Sequence, residues 1–569
     1  MEPVKRWLTS YPEDIAPTFD YPLHNLGKLL QHAAEQFPSN RALYFLGTTY
    51  TYTELLQAAY RFANALRGTF GIAKGDRIAI MLPNCPAAVI SYFGTLLAGG
   101  IVVQTNPLYK EHELKHQLGD SGVRLIVTLD LLYNRIQAVR PHTRLEHILI
   151  ASIADDLPWP KSWLYPLKQR KDGQHTGIPY NRQNIHPFKK VLANAPPTPI
   201  CETVDAKSDT ALLQYTGGTT GISKGVMLTH YNLIANAYQN IHWSYKSVTG
   251  KERFLAALPL FHVFGLTVLM NQAALRAGEM ILLPRFEAET VLKTIHRKHP
   301  TVFPGAPTMY IALLNYPGVE QYALSSINVC VSGSAPLPIE VQERFEALTG
   351  ARLIEGYGLT EASPVTHANP IWGRRKIGTI GIPFPDTDAA IVDSDTGEEL
   401  PPGEIGELVV RGPQVMAGYW NRPEETAKVL KDGWLYTSDM GTMDEDGYFA
   451  IVDRKKDVII ASGYNVYPRE VEEVLYEHPS VQEAVVAGVP DAYRGETVKA
   501  YIVLKSGSQA TGAELEAYCR ERLASYKVPR AYEFRAKLPK TMIGKVLRRA
   551  LIEEEQAKAH APADGRKEE

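Results

Sequence analysis

The chain has 569 residues, 45% of them hydrophobic and 21% charged. It exceeds a single core, since cores stop growing near roughly 250–300 residues, so more than one folded unit is expected. A net charge of -2 excludes a general attraction to nucleic acid or acidic lipid. Four cysteines with no CxxC spacing exclude a disulfide framework or a zinc site and suit a reducing compartment.

The opening MEPVKRWLTSYPED has no apolar signal-peptide core. No run approaches ~18 uninterrupted apolar residues, so no membrane-spanning helix is expected and the protein reads as cytoplasmic. Arg77 to Leu82 reads as a buried strand ending at Pro83, and Ala87 to Leu97 as a helix closed by Gly99 and Gly100. A strand at Ile101–Val103, a helix from Glu111 to Gln117 and a strand from Arg124 to Thr128 follow. This alternation predicts an α/β fold with a mostly parallel sheet covered by helices. Residues 155–199 differ: Trp159, Trp163 and Tyr165 stand among Lys, Arg and Pro. Two readings stand for them, a surface insertion and a peripheral contact with a membrane, where aromatic rings sit at the headgroups and basic residues meet anionic lipid.

After the apolar run Ala211–Leu213 comes YTGGTTGISKG, Tyr215 to Gly225. Glycine lets backbone N–H groups turn toward an anion because φ > 0 meets no Cβ clash. Thr216, Thr219, Thr220 and Ser223 add hydroxyls, Gly217, Gly218 and Gly221 add freedom, and Lys224 adds positive charge. The stretch fits a polyphosphate grip, although it is not the Walker pattern. Gly403–Arg411 and Gly447–Val452 read as short strands of a β-rich subdomain. Arg454-Lys-Lys-Asp suits an exposed hinge. Beyond it lies a small α+β unit. A helix opens at Pro468, with Val471, Val474 and Leu475 on one face, and stops before Pro479. Val485-Val486 reads as strand, and a second helix puts Leu515, Tyr518, Cys519 and Leu523 on one face. The expected division is 1–453 for the large unit, 454–457 for the hinge, 458–552 for the mobile small unit and 553–569 for a frayed, solvated tail.

Further motifs appear in a fixed order: LPLFHVFG (Leu258–Gly265), SGSAPL (Ser332–Leu337), EGYGLTEASP (Glu355–Pro364), GWLYTSD (Gly433–Asp439), DRKKDVIIASGYNVYP (Asp453–Pro468) and LPKTMIGKVLRR (Leu538–Arg549). With the Gly/Thr loop, this set resembles the adenylate-forming superfamily of acyl-CoA synthetases, luciferases and peptide-synthetase adenylation domains. Its wording looks closest to bacterial long-chain fatty acid–CoA ligases. The resemblance covers nearly the whole chain and implies a carboxylate activated by ATP to an acyl-adenylate, then passed to a thiol. A first step that gathers negative charge needs cations and preorganised donors.

By resemblance, Thr216 to Lys224 hold the outer phosphates, Glu361 ligates Mg²⁺, and Thr360 meets the α-phosphate. Tyr357 lies against adenine, with Gly333, Ser334, Ala335, Glu355, Gly356 and Gly358 shaping that pocket. Asp439 takes the ribose hydroxyls and Arg454 adds a contact. Lys545 reaches in to neutralise charge on the carboxylate and α-phosphate. Lys456 reads either as the pivot of the small unit or as an exposed linker charge. Gly463 and Tyr464 make room for coenzyme A. His262, Val263 and Gly265 line the acyl path, with His262 equally readable as a core histidine.

Departures accompany the likeness. Gly217 stands where many members have Ser, Ser223 where many have Pro, and Ser438 where Gly is common before the ribose-binding Asp. A Trp gate of some fatty acyl relatives has no counterpart at Phe264, Gly265 or Leu266. No acidic residue lies in the FHVFGL stretch to pair a substrate ammonium, and a buried unpaired ammonium is expensive, so an apolar acid is favoured. The acceptor is free CoA or, as in fatty acyl-AMP ligases, a carrier protein. No carrier domain follows Lys545, which favours CoA. A non-catalytic lipid- or nucleotide-binding homologue would be expected to lack Lys545, Glu361 or Lys224. A homodimer is common among relatives.

Overall fold

The computed structural model describes residues 4–172, 177–180, 182–216, 223–455, 457–461, 464–491, 495–541 and 546–560. The predicted β-α-β alternation builds an eight-stranded sheet. Its parallel part runs Thr210–Thr216, Ile101–Gln104, Arg77–Met81, Leu125–Leu129, His147–Ala151 and Ile185–Pro187. Lys224–Thr229 and Gly418–Tyr419 add an antiparallel edge. Side chains alternate across a strand, and here both faces are covered. Ile78, Ile80, Val102, Leu125 and Val127 enter one core, while Ala79, Met81, Val103 and Ile126 enter another.

The first helix starts one residue earlier than expected, at Pro86, whose missing N–H costs nothing at that position. Every residue of Pro86–Leu97 is buried, which explains why it carries no polar face. The next helix runs Glu111–Ser121, four residues past the expected end at Gln117; Gly122, at φ 62°, stops it in the left-handed conformation. The 155–199 segment holds a helix, Lys161–Lys171, and its later part is no loose insertion. Ile185–Pro187 forms the far edge of the main sheet, and the helix Phe188–Asn194 packs behind it.

A second pair of sheets, joined through a bridge at Val302, carries Arg253–Ala256, Glu279–Leu282, Val329–Ser332 and Arg352–Gly358. The β-rich subdomain is a five-stranded antiparallel sheet of Asp388–Val392, Gly406–Arg411, Trp434–Met443, Leu430–Lys431 and Phe449–Arg454. Its strands begin two or three residues later than predicted because Gly403 and Gly447 occupy positive-φ turns.

The small unit has its own core of Val466, Val471, Leu475, Val486, Leu515 and Cys519. Its first helix is Pro468–Tyr476, as the periodicity predicts. Its second, Gly512–Arg520, ends before Leu523, which still packs on that core from the following turn. The last helix, Arg548–His560, continues past 552: Arg535 pairs with Glu554 and Lys499 with Glu555, so charge pairing ties down the start of the expected tail.

Candidate active site

The Gly/Thr sequence is flanked by two antiparallel strands. Thr216 and Lys224 face each other in register where the strands Thr210–Thr216 and Lys224–Thr229 end and begin. Gly217, Gly218, Thr219, Thr220 and Gly221 lie outside the described residues. Lys224 Nζ sits 2.5 Å from Glu425 Oε2 and 5.0 Å from the Tyr419 ring centroid. The Tyr419 hydroxyl donates to Glu361 Oε1 at 2.8 Å. A cation, a carboxylate and an aromatic ring from three distant segments therefore meet beside the loop. The Lys224 and Lys428 ammonium groups hold the Glu425 carboxyl down at about 2. Thr360 and Glu361 form one short turn, Thr360–Ala362, and the Met416 N–H anchors it at the Glu361 carbonyl, 2.8 Å away.

Four residues before Glu361, Tyr357 closes the other side. Its hydroxyl donates to Asp439 Oδ2 at 2.6 Å, and burial, reinforced by the Asp439 carboxylate, holds that hydroxyl protonated. Asp439 and Arg454 are cross-strand partners, with Arg454 Nε 3.5 Å from Asp439 Oδ1. Ser438, without an explanation in the sequence, sits at φ 60°. Glycine reaches that left-handed region freely, which is the physical reason a glycine suits the position.

Two strands end at this wall. Gly358 cannot carry a side chain, because a Cβ there would lie 2.2 Å from the Pro364 carbonyl oxygen. A Cβ on Gly333 would touch Phe264 at 3.0 Å and the Gly356 carbonyl oxygen at 3.4 Å, so Gly333, Gly356 and the Phe264 ring pack closely. Ser334 takes φ 73°, and Ala335 follows it half-buried. Glu355 is buried 3.9 Å from the Arg469 guanidinium of the small unit; burial raises its carboxyl to about 7 against the pull of Arg469.

The same strands line an apolar cavity further down. Val329, Val331 and Ile354 form part of its wall with Val268, Val302 and Phe384. About 20 Å³ is open, room for about one water. His262 is half-buried and accepts a 3.3 Å hydrogen bond at Nδ1 from the Phe264 N–H. Val263 is fully buried, and a Cβ on Gly265 would lie 2.3 Å from the Pro259 carbonyl oxygen, so Gly265 serves close backbone packing.

The small unit abuts this site through charge. Arg469 donates to the Ile451 carbonyl at 2.8 Å, and its N–H donates to Asp453 Oδ2 at 2.9 Å. Arg548 lies 3.7 Å from Asp453, 2.8 Å from Asp457 and 2.7 Å from Glu472. Lys456, Gly463 and Lys545 lie outside the described residues; Tyr464 opens the strand Tyr464–Val466. Sequence reasoning missed Tyr419, Glu425, Arg469 and Arg548. The Pro-initiated helix at Pro468 held the only local signal, placing Arg469 in a first turn beside the hinge.

No group of three or more His, Cys, Asp or Glu forms a metal cage among the described residues. Mg²⁺ characteristically binds through one or two carboxylates together with substrate phosphates. Glu361 beside Lys224 is that kind of donor set. The residues thus fit a magnesium polyphosphate better than a resident metal.

The family model described as AMP-binding enzyme matches residues 30–420, and the one described as AMP-binding enzyme C-terminal domain matches residues 470–545. The chain is 54% identical over 562 residues to the long-chain-fatty-acid–CoA ligase of Bacillus subtilis, covering 98% of this chain and 100% of that one. The structure of ATP-bound MatB from Rhodopseudomonas palustris aligns with TM-score 0.82 at 31% identity, over 93% of this chain and 98% of the other. An anthranilate CoA ligase in complex with anthranoyl-AMP aligns with TM-score 0.84 at 29% identity, over 95% of this chain and 98% of the other. The fold, with its large unit and separate small one, is thus shared with these enzymes, and the chain belongs to the AMP-binding enzyme family.

Proposed function

We propose that the protein is an ATP-dependent long-chain fatty acid–CoA ligase. A carboxylate oxygen of the acid attacks the α-phosphorus of ATP, and the bond to the β-phosphate oxygen breaks, giving acyl-AMP and pyrophosphate. The CoA sulfur then attacks the acyl carbonyl, its proton goes to base, and AMP leaves.

One observation carries the reading. The stretch Ile354–Glu361 joins three features: Glu361 meets the Lys224–Tyr419–Glu425 cluster through the Tyr419 hydroxyl, Tyr357 meets Asp439 beside Arg454, and Ile354 lines the apolar cavity. In this reading Lys224 and the loop residues Thr216 to Gly221 hold the outer phosphates, Thr360 meets the α-phosphate, and Glu361 would hold Mg²⁺. Bound Mg²⁺ supplies neutralisation of phosphate charge. Tyr357 and the Gly333–Ala335 and Glu355–Gly358 backbones flank the adenine, while Asp439 and Arg454 take the ribose. Lys545 completes the charge balance from the small unit, Lys456 is the pivot, and Gly463 with Tyr464 admits the CoA arm. The boundaries at 453 and 458 follow from that division of labour.

Val268, Val331 and Ile354 receive the acyl tail, with His262, Val263 and Gly265 in the segment that runs into the helix carrying Val268. The cavity as packed holds no long chain, so the valine-rich wall gives way as the tail enters. Each buried CH₂ contributes about 0.8 kcal/mol, which grades binding with chain length.

The test is to incubate the protein with ATP, Mg²⁺ and a panel of short- to long-chain fatty acids, with and without CoA, and to identify products by mass spectrometry. Acyl-CoA plus AMP, rising with chain length, is the expected result. Acyl-AMP accumulating regardless of CoA would mean delivery to a carrier protein instead.

A further inference from the structure

The helix Lys161–Lys171, with Pro166 inside it, turns large apolar side chains outward. On its inward side Gln169 Nε2 donates to Asp130 Oδ2 at 3.3 Å, and Ser162 and Tyr165 are half-buried beside it. Its exposed side mixes apolar and basic residues. Trp163 is 67% exposed, Leu164 and Leu167 are each 48% exposed, and Trp159 on the approach is 85% exposed. Positions 163, 164 and 167 follow the three-and-four spacing of one helical face. A folded protein ordinarily turns such a face inward, and a contiguous exposed apolar patch marks an interaction site.

The patch is firmly mounted. The Tyr50 hydroxyl donates to Asp156 Oδ1 at 2.5 Å just before it. Pro158 packs against the turn at Gly47, where a Cβ would lie 3.0 Å away. After the helix, Lys189 Nζ donates to the Asp155 carbonyl at 3.2 Å. The exposed rings are therefore presented by a fixed element.

Charge selects the occupant. Between 157 and 171 the sequence LPWPKSWLYPLKQRK holds Lys161, Lys168, Arg170 and Lys171 and no acidic residue. Lys161, Arg170 and Lys171 are exposed on the same element as the rings. Two copies meeting face to face through this helix would oppose like charges. An anionic lipid surface reverses that sign: tryptophan rings settle at the headgroup boundary, leucines enter the acyl region and basic side chains meet phosphates. We propose that this face, Trp159 with Trp163, Leu164 and Leu167 ringed by Lys161, Arg170 and Lys171, docks the protein on anionic phospholipid membranes. Docking is read by binding alone and stands whether or not the ligase reading holds.

The experiment is co-sedimentation of the full chain with vesicles of phosphatidylcholine alone and of phosphatidylcholine mixed with phosphatidylglycerol. The parent is expected to sediment with the anionic vesicles and to be released by salt. Trp159→Ser with Trp163→Ser, and separately Lys161→Gln with Lys171→Gln, are each expected to weaken binding roughly tenfold. Both pairs are exposed, so melting temperature stays unchanged and serves as the folding control. Unchanged binding by the tryptophan pair overturns the proposal, as does a parent that ignores both vesicle types. So does a dimer in sedimentation velocity that the tryptophan substitutions dissolve, because the face would then join two copies.

Discussion

The wall of the cleft and the seam beside it hold together by different means. At the wall, Gly358 packs so closely under the Pro364 carbonyl that a methyl group has no place, and the Tyr357 hydroxyl is fixed on Asp439. At the seam, the small unit meets the large one through Arg469 and Arg548 against Glu355, Ile451 and Asp453. Packed contacts are lost all at once when surfaces part, since their groups have no equally good partner in water. Guanidinium–carboxylate pairs are held by charge, and when the surfaces part both ions regain the hydration that burial took from them. The difference teaches how each is held: the Tyr357–Gly358 wall is fixed by close packing, and the small unit is fastened to the large one by charged contacts that water can replace.

The sharpest way to break this comparison is Lys545→Ala. If the small unit delivers charge only for the first half-reaction, adenylation falls by about a thousandfold while thioester formation from supplied acyl-AMP keeps its rate. Rapid-quench measurement of both half-reactions checks it, and equal losses would argue against a moving unit. Next in size is Arg548→Met. It leaves Asp453, Asp457 and Glu472 facing one another without their shared cation and lowers stability in urea by about 3 kcal/mol. An unaltered urea midpoint would mean that water already does the work of this pair.

Glu355 gives a pH signature at the seam. Its folded carboxyl, at about 7, lies above the ordinary value of 4.5 because of burial. A raised carboxyl stabilises the fold fully below about pH 4.5, and the contribution is lost as pH rises through about 7. Glu355→Gln should remove that decline, worth about 3 kcal/mol, from stability measured across the window. A slope identical to the parent's would assign the decline elsewhere. The smallest effect belongs to the wall. Ser438→Gly relieves the left-handed φ of 60° and raises stability by about 0.5–1 kcal/mol in thermal melts. A loss instead would show that the hydroxyl contributes more than the backbone strain costs.

Much of the fold was legible because its signals are local. Short continuous apolar runs marked Arg77–Met81 and Ile101–Gln104, and Pro468 with its apolar stripe marked the helix Pro468–Tyr476. Element ends slipped where a glycine's φ decides, as at Gly122, Gly403 and Gly447. The site was legible as ordered motifs but not as contacts. Lys224 and Glu425 lie about two hundred positions apart, and no pattern near either one names the other. Tyr419 enters because its two-residue strand pairs with Lys224–Thr229, a long-range choice set by the sheet. Trp163, Leu164 and Leu167 carried the right spacing for a buried face, and only the folded chain shows that face turned outward.

Thr216 and Lys224 are partners in the ladder between the strands Thr210–Thr216 and Lys224–Thr229. The sheet itself therefore decides where the Gly/Thr sequence begins and ends. A substitution in either strand that weakens the ladder would reach the site from outside it, with no residue of the motif changed.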